Sequence, residues 1–130
     1  MTPPRTASET DDGYLTASEI TGLKLDADWV ILSACNTAAG GEEGADALSG
    51  LARAFFYAGA RSLLVSNWSV YSDATVKLIT KAISELKSDG KIGRAEALRR
   101  SMVALITDGQ TDEAHPAFWA PFVLVGEGAR

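Results

Sequence analysis

Apolar positions along this chain alternate between short unbroken runs and longer stretches that repeat every three or four residues. Residues 1–13, MTPPRTASETDDG, show neither pattern; two prolines, hydroxyls and acids cannot build a core element, so a loop or arm is expected there. Thr16-Ala-Ser-Glu19 has the spacing of a capping box and predicts a short helix through Ile20 and Leu23. Trp29 to Leu32 is an apolar run between polar flanks, which predicts a strand buried on both faces. Ala47 to Ala60 carries Leu48, Leu51, Ala52, Phe55 and Phe56 at helical spacing and closes with Gly59 as a C-terminal cap. Ser62 to Ser66, SLLVS, predicts the second buried strand.

Further on, Asp73 is placed to cap a helix through Val76, Leu78, Ile79, Ala82, Ile83 and Leu86, ending near Asp89-Gly90. Gly93 to Ile106 predicts another helix, with Leu98, Met102, Leu105 and Ile106 on one side and Arg94, Arg99 and Arg100 mostly on the other. Phe122 to Val125 predicts a third strand. Strands alternating with helices imply an α/β fold with a parallel sheet and helices on both faces. Ligands of such sheets gather at the carboxyl ends of the strands, where Cys35 and the segment Asn67 to Asp73 both fall.

Composition narrows the class of protein. With 130 residues, 46% hydrophobic and 22% charged, the chain suits one globular domain. A net charge of −5 argues against a nucleic-acid partner. The single cysteine excludes an internal disulfide, no apolar run reaches membrane-spanning length, and Met1-Thr-Pro-Pro-Arg5 does not begin a signal peptide, so a cytoplasmic protein without membrane partners is expected.

Cys35 is read either as a small core filler or as a nucleophile, because a strand end followed by small residues gives access, while no nearby cation lowers its pKa. The only histidine, His115, stands before proline and two aromatics; that pattern favours a turn anchored by buried rings over a catalytic base. Gly40, Gly41 and Gly44 are not followed by Lys-Ser or Lys-Thr, and Glu42, Glu43 and Asp46 would repel phosphate. No cofactor or metal is therefore expected. The acidic loop would suit a positively charged substrate side chain. Lys91, Arg94, Arg99 and Arg100 read as the wet face of a helix, or else a dock for an acidic partner. Trp68 and Tyr71 either wall a substrate cleft or cover the core.

Four segments in order, ADWVILSACNTAAG, LSGLARAFFYAGARSLLVSNWSV, AEALRRSM and HPAFWAPFVLVGE, resemble the CHAT domain, a caspase-like domain often found after tetratricopeptide repeats and related to separase and the caspases. The resemblance implies a three-layer αβα fold with a mainly parallel sheet, residues 14–130 being the carboxyl-terminal part of the domain. It also implies a cysteine endopeptidase with a histidine–cysteine dyad. Cys35 matches the family cysteine. The family's His-Gly pair, whose glycine amide helps form the oxyanion hole, belongs to an earlier strand and is absent from this sequence. His115 matches another family position and inherits no catalytic role. Many members carry an aspartate four residues after the tryptophan that here is Trp68; Ser72 stands at that position with Asp73 beside it, so Trp68, Ser72 and Asp73 are the candidate substrate contacts, for a basic side chain.

Loss of a positioned base removes typically about a hundred- to ten-thousand-fold in rate, and loss of an oxyanion donor about a hundredfold more. The chain alone is thus expected to be a very poor peptidase, with a sheet incomplete on its amino-terminal side. The partners expected are a protein or peptide substrate, the missing amino-terminal part of the domain, or a second copy at the open sheet edge. The competing expectation is a non-enzymatic interaction module on a degenerate peptidase fold.

Overall fold

A computed structural model describes residues 15–32, 42–67 and 71–129, with residues 42–49 as backbone alone. The elements are α1 (Ala17–Thr21), β1 (Val30–Leu32), α2 (Glu42–Tyr57), β2 (Ser62–Ser66), α3 (Ser72–Ser88), α4 (Arg94–Asp108), α5 (Pro116–Trp119) and β3 (Phe122–Gly126). The sheet order is β1-β2-β3. β1 runs parallel to β2, with Val30 opposite Leu63 and Leu32 opposite Val65.

β3 runs antiparallel to β2, with Ser62 opposite Gly126 and Ser66 opposite Phe122, so the sheet is mixed and the expectation of a mainly parallel one is corrected. The reason lies in the connections. One long helix, α2, separates β1 from β2 and returns the chain to its starting end. Between β2 and β3 lie two long helices, α3 and α4, which pack as an antiparallel hairpin: Arg100 reaches Glu85 and Asp89, and Ser101 donates to the Leu78 carbonyl. The hairpin brings the chain back to the carboxyl end of β2, from which β3 must run the opposite way.

β2 is buried along its whole length, and the alternation of its side chains sorts the core into two halves. Leu63 and Val65 join Ile20, Ala54, Phe55, Ala58 and Ala60, with Val30, Leu32 and Val125 packed against them. Leu64 joins Ala74, Leu78, Leu98, Leu105 and Phe122 on the other side, with Trp29, Ile31 and Leu124. Helices α1 and α2 therefore cover one face, and α3 and α4 the other. β1 is only half-buried, short of the full burial expected from its run of apolar residues, and among the described residues no strand pairs with its outer edge.

Local chemistry sets the ends of the elements. Glu19 N donates to Thr16 Oγ1 at 3.3 Å and Thr16 N to Glu19 Oε2 at 2.7 Å, which is the capping box expected from the sequence. Gly59, at φ 102°, ends α2 in the left-handed region that its lack of a Cβ permits. Tyr71 and not Asp73 is the N-cap of α3; Asp73 sits in the first turn, where its charge complements the helix dipole.

Two side chains of α4 depart from the expected faces. Ile106 is exposed, and Arg94 is buried, with Nε donating to the Glu127 carbonyl at 3.1 Å. Arg99 and Arg100 keep to the solvent side, paired with Glu96.

Candidate functional site

The carboxyl ends of β1 and β2, the start of α3, the α4–α5 connection and the start of β3 meet at one end of the sheet, where Asn67 N donates to the Pro121 carbonyl at 2.8 Å. Cys35 and Trp68 lie outside the described residues. Ser72 and Asp73 do come together here, in a cleft of about 260 Å³ lined by Tyr71, Ser72, Asp73 and Ala74 from α3 and its cap, and by Gln110, Asp112, Glu113 and Phe118. The Tyr71 and Phe118 rings stack with centroids 4.5 Å apart and form an aromatic wall, and Tyr71 is exposed rather than a cover of the core.

The opposite wall is a folded turn. Glu113 N donates to the Gln110 carbonyl at 2.9 Å and His115 N to the Asp112 carbonyl at 3.0 Å. The Glu113 carboxylate closes the turn by accepting from Gln110 N at 2.7 Å, and it accepts from Lys77 Nζ at 2.6 Å, which ties the turn to α3. Those two hydrogen bonds, Lys77 first, hold its pKa below the usual carboxylate value although its burial acts the other way. Asp73 and Asp112 have no ion-pair partner among the described residues. Two unpaired carboxylates beside an exposed aromatic face attract a cation, and most strongly a planar one that stacks while it donates hydrogen bonds.

His115 is not among the residues that line this cleft. It is the N-cap of α5: its Nδ1 accepts from Ala117 N at 3.2 Å and Pro116 occupies the first helical position. Phe118 and Trp119 are half-buried behind it, and Trp119 Nε1 donates to the Ala114 carbonyl at 3.1 Å. A short helix capped by His115 forms here rather than a plain turn, and the rings expected to be buried are half-buried.

Gln110, Asp112 and Glu113 were not singled out from the sequence. The one local signal for them is the three-residue spacing from Gln110 to Glu113, the spacing at which a carboxylate reaches back to a backbone amide. Among the described residues no three of His, Cys, Asp and Glu are grouped so as to hold a metal ion, and no helix is long and apolar enough to cross a membrane.

The family model of the CHAT domain matches residues 3–127, nearly the whole chain. The chain belongs to the CHAT-domain family. Similar proteins include tetratricopeptide repeat protein 28 of Mus musculus, 32% identical over 120 residues, and that of Homo sapiens, 30% identical over 120 residues. In both cases the match takes in 89% of this chain and 4% of the relative, so this CHAT domain spans a small part of the length of the curated relatives it matches. No solved structure matches the chain.

Proposed function

We propose that this CHAT domain is the nucleophile-bearing part of a caspase-like cysteine endopeptidase, and that its acidic cleft receives the basic side chain preceding the cut. Cys35, three positions after the end of β1 in the sequence, is the nucleophile in this reading. Its thiolate attacks the peptide carbonyl to form an acyl-enzyme and release the amine, and water then hydrolyses the thioester. The observation that carries the proposal is the cleft at the carboxyl end of β2, which offers Asp73 and Asp112 and a stacked aromatic wall in a member of a family whose model covers the chain. Ser72, in the position where many members carry the aspartate, lines the same cleft as Asp73, so the neighbouring acid supplies the charge.

The chain's only histidine caps α5, and in this reading the base that activates Cys35 is supplied by a separate His-Gly strand. The test is a fluorogenic peptide with arginine before the cleaved bond, given to the chain alone and to the chain mixed with a strand peptide ending in His-Gly. Cleavage is expected only in the mixture, and Cys35→Ala abolishes it. A folded complex that does not cleave, together with a Cys35 that alkylates no faster than a free model thiol, overturns the peptidase reading in favour of a binding module.

A further inference from the structure

The Glu113 carboxylate lies on a boundary. It lines the cleft of Tyr71, Ser72 and Asp73, and it also lines a groove of about 310 Å³ between α3 and α4 whose walls include Lys77, Lys81, Ser101 and Asp108. Lys77 lines only the groove, and its ammonium reaches Glu113 from that side at 2.6 Å. Glu113 Oε2 is committed to Gln110 N, and Oε1 is the atom that Lys77 takes. The Glu113 side chain is 8% exposed and that of Lys77 48%, so the carboxylate end of the pair is shielded from solvent while the ammonium end is partly screened.

We infer that Lys77 is an internal cation that neutralises the third carboxylate of the cleft, so that the Lys77–Glu113 pair sets how strongly the cleft takes a basic side chain. The inference rests on the reading of the cleft as a site for such a side chain and adds to it a specificity-determining pair. Glu113 has two duties here. Its bond to Gln110 N shapes the turn that carries Asp112, and its second oxygen adds negative charge to the cleft only when Lys77 releases it.

The two duties make the pair separable by mutation. Lys77→Met leaves the turn closed by Glu113 and frees a carboxylate toward the cleft; Glu113→Gln removes that charge and weakens the closure. A pair that was only a structural tie would respond to both changes in the same direction.

The experiment is a titration of the chain with a short capped peptide containing arginine, and with the same peptide containing citrulline, which keeps the shape and removes the charge. Lys77→Met is expected to bind the arginine peptide roughly threefold to tenfold more tightly than the native chain, the scale of one partly screened charge a few ångströms from a cation, and Glu113→Gln more weakly by a similar factor. Citrulline binding stays unchanged in the Lys77 variants, in which Glu113 still closes the turn. Lys77→Gln keeps a donor to Glu113 and removes only the charge, so it must move the same way as Lys77→Met. Weakened or unaltered arginine binding in both Lys77 variants, with native circular dichroism, overturns the inference. A native chain that does not prefer arginine to citrulline overturns the reading of the cleft, and the inference with it.

Discussion

Arg94 is 6% exposed, its Nη2 stands 3.8 Å from Glu127 Oε2, and that nitrogen has no hydrogen-bond partner among the described residues. A guanidinium in this position contributes chiefly through its stem and its Nε bond, because the desolvated charge is only loosely paired. Arg94→Met keeps the stem and removes the charge together with the Nε bond to the Glu127 carbonyl, and is expected to cost about 1 kcal/mol; Arg94→Ala removes the stem as well, at about 2 kcal/mol or more. Urea unfolding of the two variants distinguishes the cases, and equal losses would assign the stabilisation to the guanidinium rather than to the stem. The sequence reading placed Arg94 on the wet face because helical periodicity compares a residue only with its neighbours on the same helix. Glu127, which draws it inward, is far along the chain. Glu113 is illegible for the same reason, its partner Lys77 lying far back along the chain on α3, whereas the Thr16–Glu19 box was legible because both partners are local.

At the scale of elements, the α3–α4 hairpin is laced by Arg100, which pairs with Glu96 at 2.9 Å, Glu85 at 3.4 Å and Asp89 at 3.5 Å, while Arg99 also holds Glu96 at 2.8 Å. Hydrogen bonds from Arg99 and then Arg100 lower the Glu96 pKa from 4.5 to about 2. Those from Lys81 and then Arg100 lower that of Glu85. A carboxylate with a depressed folded-state pKa binds more protons when unfolded, so its contribution is full above the unfolded value and disappears as the pH falls through the folded one. Stability should therefore decline from about pH 4.5 toward pH 2. In Glu85→Gln/Glu96→Gln that decline should be shallower because the stability these carboxylates supply at neutral pH is already gone, a modest loss since the pairs are near solvent. Thermal melts across this range test it, and an equally steep acid limb in the double variant would remove the hairpin carboxylates as its cause. The apolar spacing of both helices was legible in the sequence, as was the SLLVS strand. Their first residues were less so: α2 starts at Glu42, ahead of its apolar repeat, and α3 starts from a tyrosine that has no side-chain cap.

For the whole molecule the direction of β3 was the feature least legible from pattern, since it depends on how many long helices separate two strands rather than on any residue within them. The same topology ranks the strands by protection. β2 is flanked by a partner on each side and buried throughout, whereas β1 is three residues long, half-buried, and paired on one side only among the described residues. Local opening should expose the β1 amides well before those of β2, so hydrogen exchange at Val30 to Leu32 is expected to run at least about tenfold faster than at Leu63 to Val65. The strand peptide ending in His-Gly, if it docks beside β1, pairs with the edge that has no partner among the described residues and slows exchange in β1 selectively. Protection gained at Val123 to Val125 instead would place the added strand on the opposite edge, away from the parallel pair whose carboxyl ends lead to Cys35 and the acidic cleft. That outcome would put the histidine on the edge away from β1, the strand that precedes Cys35 in the sequence, and the complementation reading would fail before any activity was measured.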